Sequence, residues 1–267
     1  TAENTRECGA DGDLAGFRNW ENDAHVRELA DLWNIEKDRL PHENPPTHAM
    51  EIFRLAEEGT IRMLWISATN PAVSLPELGR IRAILERDDV FVVAQDMFPN
   101  ETTALADVVL PAAGWGEKTG TFTNADRTVH LSEKAVDPPG EARADLDIFL
   151  DYARRMDFRD RDGKPLPPWT DAESAFDAWR ACSAGRPCDY SGMTYELLRT
   201  RGGVQWPCTA DAPGGTERLY ADGRFYSAAD YCESYGKDLL TGEPLQPDEY
   251  RDLNPGARAL IKAAPHL

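Results

Sequence analysis

No stretch of the 267-residue chain approaches the roughly 18 to 20 consecutive apolar residues that a membrane-spanning helix needs. The first residues also lack a charged segment followed by an apolar one, so the chain as given is expected to be soluble. Basic runs are missing as well. With 29 Lys and Arg against 47 Asp and Glu, the formal charge is -18 and the pI about 4.7. Such a surface repels a phosphate backbone, which excludes nucleic acid as the expected partner. The acidity reads as a solvated surface that aids solubility, with adaptation to high salt as the other reading. The five cysteines, Cys8, Cys182, Cys188, Cys208 and Cys232, are odd in number and show no C-x-x-C spacing. A zinc ribbon or an iron-sulfur site within this chain is therefore not expected. Reduced, mostly buried thiols are, although one disulfide within the group from Cys182 to Cys232 stays open. There is no G-x-x-x-x-G-K-[ST] loop and no G-x-G-x-x-G after a strand, so neither a P-loop NTPase nor a typical NAD site is supported. His25, His42, His48 and His130 have no metal-ligand spacing and no nucleophile elbow near them.

What is present is a chain with 41% hydrophobic residues, ample for a buried core in one large or two smaller domains. It begins at Thr1 inside a polar segment and is expected to be a piece of a longer polypeptide or a processed chain. Three parts follow one another: a helical lead-in over 1–58, an α/β unit over 59–157, and an irregular, partly helical extension over 158–267. In the lead-in, helical spacing of apolar residues appears over 24–33 and 47–58, separated by Pro41 and Pro45-Pro46. The α/β unit starts with a near-continuous apolar run over 61–67, which suits an interior parallel strand. Ser74-Leu75-Pro76-Glu77 has the spacing of a capping box for a helix ending near Arg87. Second and third strands are expected over 90–94 and 108–110, with a short helix capped by Asn100 between them. A polar loop follows over 117–124, and a covering helix over 142–156 turns Leu146, Phe149, Leu150 and Ala153 inward. The order β-α-β-α-β with right-handed crossovers makes a parallel sheet with flanking helices, a Rossmann-like αβα layer, and puts the three strand tips along one edge. After residue 157, proline, glycine and aromatic residues dominate. Short helices are expected over 172–182 and 194–199, and the rest is expected to pack on parts of a larger protein.

Ligands of open α/β sheets bind beyond the carboxyl ends of the strands, so chemistry is sought there. Asp96 follows a strand and offers paired acceptors that match the two adjacent donors of guanine, although an Asp so placed is commonly a turn or cap residue. Asn70 before Pro71 is ordinarily a turn signal, and its amide can also bond to a phosphate or ribose. Lys118 carries a point charge suited to a pyrophosphate, and Gly120 nearby permits close backbone approach; the bland alternative is a surface lysine. Asp145 opens the covering helix, where a negative charge is favourable. Near the start, Arg6 and Arg18 stand close to glycines, an arrangement that can hold a small oxyanion such as nitrate or formate or make a structural salt bridge.

Six ordered segments resemble the molybdopterin oxidoreductases that carry a bis-molybdopterin guanine dinucleotide cofactor. They are Thr5-Arg6-Glu7-Cys8-Gly9-Ala10, Pro46-Thr47-His48-Ala49-Met50, residues 64–74, residues 101–111, residues 117–127 and Gly140-Glu141-Ala142-Arg143-Ala144-Asp145. Residues 185–192 and Gln205-Trp206-Pro207-Cys208 are similar to the nitrate-reductase branch. The resemblance implies that Asn70, Gln95, Asp96, Lys118 and Asp145 contact the guanine dinucleotide, with Asp96 reading guanine, and that Arg6 lies by the substrate funnel and positions nitrate. It also implies a parent enzyme that reduces nitrate to nitrite in assimilation, with an electron donor protein or reductase subunit as partner. The 4Fe-4S cysteines, the molybdenum ligand and a closing β-barrel belong to parts of the parent outside this chain, so the chain alone is expected to be inactive. The competing expectations are a formate dehydrogenase or other oxyanion reductase of the same family, and a non-catalytic nucleotide-binding module.

Overall fold

The computed structural model describes residues 2–10, 12–42 and 47–218. Expectations for the stop at Pro45-Pro46, the irregular stretch at 220–226 and any pairing of Cys232 lie outside the described residues. Cys8, Cys182, Cys188 and Cys208 are free thiols. Two compact units interleave along the chain: Thr1–Pro45 with Thr123–His130 and Trp179–Leu267, and Pro46–Phe122 with Leu131–Ala178. Unit boundaries therefore differ from the three consecutive parts expected from the sequence. The segment before residue 46 and the described part of the extension after residue 178 share one unit, joined by an apolar cluster that includes Leu29 and Cys182 and by hydrogen bonds from Tyr190 and Trp206 to Glu7.

In the second unit, β1 (Met63–Ser67), β2 (Phe91–Asp96) and β3 (Val108–Pro111) form a parallel sheet in the order β1-β2-β3. Successive residues of a strand face opposite sides of the sheet. Leu64, Ile66 and Val92 lie in a buried cluster with Phe53 and Ala56 of the helix Ala49–Glu57 and with Ile81, Ile84 and Leu85 of the helix Leu78–Leu85. The ring of Trp65 instead meets Phe149 at 5.3 Å and Tyr152 at 5.0 Å between centroids, both on the helix Asp145–Arg155. Helices thus cover both faces, and the expected αβα layer is present. In the register, Ser67 lies opposite Gln95, Gln95 opposite Leu110, and Asp96 opposite Pro111, so the three carboxyl ends are level.

Local details depart from expectation in several places, and the short helix expected after Asn100 is a 3-10 turn, Thr103–Leu105, preceded by Thr102. Ser74 caps nothing: it ends a separate helical turn, Pro71–Ser74, and its hydroxyl donates to the Asn70 carbonyl at 2.9 Å. Pro76 disfavours helix at Leu75, which is extended, and Glu77 enters the next helix with φ 55° and no side-chain cap. The segment expected as a polar loop contains β4 (Gly120–Thr123), and β5 (Thr128–Ser132) and β6 (Val204–Gln205) complete a second sheet in the order β4-β5-β6. On the covering helix, Ile148, Leu150 and Ala153 are buried while Phe149 remains 44% exposed, because its ring lies over Trp65 at the margin of the sheet.

In the first unit, the helix Asp23–Leu32 begins at Asn22, whose side chain accepts from the Ala24 and His25 amides. Its buried residues Val26, Leu29 and Ala30 cluster with Ala15, Leu40 and Cys182. Arg18, fully buried, donates to the carbonyls of Ala15 at 2.8 Å and Cys182 at 3.0 Å and pairs with Glu28 at 2.7 Å. Its role is the structural one of the two readings. Glu7 is the centre of this unit. It ends the unexpected helix Ala2–Glu7 and is fully buried, accepting from Tyr190 at 2.7 Å, from Thr123 at 2.9 Å and from the Trp206 indole. The chain leaves it through Gly9 at φ 76°, where a Cβ would meet the Ala15 nitrogen at 2.4 Å, so glycine is required.

Burial pushes the Glu7 carboxyl above its ordinary value, and the three hydrogen bonds oppose that rise only in part. A carboxyl raised in the folded state stabilises most fully below its unfolded pKa, and that contribution is lost as pH rises through the folded pKa. Relative to Glu7→Gln, the wild-type chain should therefore lose stability as pH rises above 4.5, the ordinary glutamate value. Glutamine can still accept from Trp206 and donate to a hydroxyl. Glu7→Ala removes the acceptor of the buried Trp206 indole and of two hydroxyls, of which Thr123 and Tyr190 can still bond to each other at 2.7 Å, and should cost about 2 to 4 kcal/mol in urea unfolding. A flat difference between wild type and Glu7→Gln across pH would contradict the assignment.

Candidate nucleotide-binding crest

Three strand tips build the crest. At the end of β1, Ala68 takes a left-handed conformation, φ 55°, and its amide donates to the Gln95 carbonyl at 3.0 Å. This turn costs a non-glycine residue on the order of 1 kcal/mol and carries the chain to Asn70. The Asn70 amide donates to Glu101 at 2.8 Å, and its oxygen accepts from the Thr102 hydroxyl at 2.7 Å. Thr102 is 1% exposed and also accepts from the Ala72 amide at 3.1 Å, tying the first crossover to the second. The Asn70 hydrogen bond holds the Glu101 carboxyl below its usual range.

At the end of β2, one Asp96 oxygen accepts from the Met97 amide at 2.7 Å and the Phe98 amide at 3.3 Å. The other accepts from the Asn100 side chain at 2.8 Å. The turn role that the sequence left open is thus real. An ionised carboxylate offers about four acceptor sites, of which three are taken: one stays open on the oxygen that Asn100 holds, and the long 3.3 Å contact from Phe98 is the one a ligand can displace on the other. Met97, Phe98 and, beyond β3, Trp115 are exposed by 50%, 67% and 65%, an apolar rim beside polar groups.

Beyond β3, Glu117 accepts from the Gly114 amide at 2.7 Å, and Lys118 forms an ion pair with Asp145. Asp145 is the first residue of its helix and accepts from the Gln95 amide at 2.7 Å, while the Gln95 oxygen accepts from the Trp65 indole at 3.0 Å. A Cβ at Gly120 would meet no atom within 4 Å, so the chain's own packing does not demand glycine there and close approach from outside is open.

Asn70, Gln95, Asp96, Lys118 and Asp145 are therefore brought to one sheet edge. Gln95 differs from the rest: it is 1% exposed and both ends of its amide are held within the protein. Arg6 lies in the last turn of Ala2–Glu7, in the other unit. Sequence reading missed Trp65, Thr102 and the link from Asn100 to Asp96. Only Asn100 left a signal, as a cap. His25, His42, His48 and His130 are engaged in backbone or side-chain hydrogen bonds. Among the described residues no group of His, Cys, Asp or Glu has metal-site geometry, and no helix is long and apolar enough to cross a membrane. The crest can accept hydrogen bonds from a planar base and offer one ammonium to an anion. Its nearby carboxylates, Asp96, Glu101 and Asp145, keep anion affinity modest.

Replacing Gln95 by Leu leaves the Trp65 indole and Asp145 without their shared partner. Urea unfolding should register a loss of about 1 to 3 kcal/mol. An unchanged midpoint would mean the amide bridges nothing of consequence.

The sequence profile of the molybdopterin oxidoreductase family matches residues 3–155. A nitrate reductase from Synechocystis sp. is 37% identical over 243 residues, covering 88% of this chain and 33% of the relative. The assimilatory nitrate reductase catalytic subunit of Bacillus subtilis is 36% identical over 249 residues, covering 92% of this chain and 33% of the relative. Formate dehydrogenase H of Escherichia coli is 31% identical over 241 residues, covering 88% of this chain and 31% of the relative. The chain thus spans about a third of the length of these curated relatives.

Proposed function

The chain belongs to the molybdopterin oxidoreductase family, and on that premise we propose that it is the cofactor-holding portion of a nitrate reductase, with the strand-tip crest gripping one guanine dinucleotide. The family implies a molybdenum-pterin cofactor. The observation that carries the guanine reading is the Asp96 carboxylate, oriented by its turn and Asn100 at the carboxyl edge of a parallel sheet with acceptor capacity left. Asp96 accepts from the guanine ring N–H and amine, one at the open site of the oxygen that Asn100 holds and one in place of the long Phe98 contact on the other; Asn70 bonds to the ribose or phosphate, and Lys118 exchanges Asp145 for the diphosphate. Gln95 holds Asp145, and Asp145 holds the Lys118 ammonium at the crest. When bound, the cofactor supplies the two-electron chemistry that takes an oxygen atom from nitrate and leaves nitrite. Arg6 positions the nitrate through its planar fork of donors.

The same reading places the 4Fe-4S cluster, an electron donor and the remaining domains outside this chain. It is a cytoplasmic enzyme of nitrate assimilation, and the four free thiols among the described residues fit a reducing compartment. Formate dehydrogenase relatives make formate the alternative substrate. Turnover of the full-length parent with nitrate and with formate, alongside molybdenum analysis, separates the two: nitrate reduction without formate oxidation is expected, and the reverse overturns the assignment.

For the chain itself, GDP should bind weakly, and Asp96→Ala should weaken it by about 1.5 to 3 kcal/mol, the scale of hydrogen bonds to a charged group. Calorimetry on both proteins measures this. Equal affinities would remove Asp96 from the site.

A further inference from the structure

We propose that Asn100 is a specificity-positioning residue: its side-chain amide sets the plane of the Asp96 carboxylate, and thereby the preference for guanine over bases that lack the exocyclic amine. The inference rests on the reading of Asp96 given above. Every polar atom of the Asn100 side chain is engaged, and in opposite directions. The oxygen accepts from the Thr102 and Thr103 amides, each at 3.0 Å. The nitrogen donates to Asp96 at 2.8 Å and lies 3.4 Å from the Phe98 carbonyl. The backbone of Asn100 is held too, with the Thr103 hydroxyl accepting from its amide at 2.7 Å and donating to its carbonyl at 2.9 Å.

The carboxylate is thus fixed at both oxygens by two different devices. Backbone amides of Met97 and Phe98 hold one oxygen whatever residue stands at position 100. Among the described residues Asn100 alone holds the other. Without that donor the carboxylate can swing about its Cβ–Cγ bond while one oxygen stays anchored. A single donor from a base can follow such a swing, but two adjacent donors on a rigid ring require both oxygens to be in plane at once. Loss of the Asn100 donor should therefore penalise GDP and leave IDP, which has the ring N–H and no amine, nearly unaffected. The same turn is linked to Asn70 through Thr102, so orientation at two strand tips is set by one short segment, residues 100–103.

Asn100→Ser separates the two jobs of the side chain. A serine hydroxyl can still accept from the amides of the turn, but it is too short to reach Asp96. The experiment is calorimetric titration of the 267-residue chain with GDP and with IDP, for wild type, Asn100→Ser and Asp96→Ala, with thermal midpoints measured alongside. The wild-type chain should prefer GDP by about five- to tenfold, the size of one well-made hydrogen bond. Asn100→Ser should lower that ratio to near one, chiefly through weaker GDP binding, at a little-changed midpoint. A merely structural role would weaken both nucleotides together and leave the ratio standing. If Asp96→Ala loses the preference while Asn100→Ser keeps it, the positioning role fails and the guanine reading survives. If the wild-type chain shows no preference, or Asp96→Ala retains it, the guanine reading fails and the role of Asn100 with it.

Discussion

Gln95 is a primary amide with almost no access to water, and a buried amide must find partners for both its ends. Its oxygen takes the Trp65 indole and its nitrogen takes Asp145, so β1, β2 and the helix Asp145–Arg155 are joined at one point. That requirement fixes where Asp145 stands. The position of Asp145 in turn fixes the Lys118 ammonium, which would otherwise belong to a flexible four-carbon stem. The Lys118 ammonium at the strand tips is thus located by a chain of contacts that starts inside the sheet.

The crest combines stiffness with unused capacity. Its carboxylates and amides are mutually bonded, which orients them before any ligand arrives and lowers the ordering cost of binding. Asp96 keeps acceptor capacity, Lys118 is half-buried and exchangeable, and an apolar rim stands beside them. This suits recognition rather than bond making. The division agrees with a family in which the cofactor supplies the redox chemistry and the protein holds and orients it.

Much of this was readable in the sequence, and for physical reasons. The spacing of Val26, Leu29 and Ala30 announces a helix, and the apolar run ending at Ser67 announces a buried strand, because burial imposes its period on neighbouring residues. Right-handed crossovers then put Asn70, Asp96 and Lys118 on one edge without any knowledge of side-chain contacts. What escaped was of longer range or weaker pattern. Glu7 meets Thr123, Tyr190 and Trp206 across separations of 116, 183 and 199 residues, which no local pattern encodes. The strand Gly120–Thr123 is short and rich in Thr, so it read as a loop. At Ser74 the local signal was present but overruled, since Asn70-Pro71 had already begun a turn that Ser74 closes.

The central claim is that guanine nucleotide is recognised at the strand tips of the second unit by groups already held in place. Amide chemical-shift mapping on isotope-labelled chain during a GDP titration addresses it directly. Met97, Phe98, Asn70 and Lys118 should move, and the Trp65 indole should respond through Gln95 and Asp145, while the Trp206 indole on Glu7 stays still. Shifts confined to residues around Glu7, or spread evenly over both units, would contradict the account.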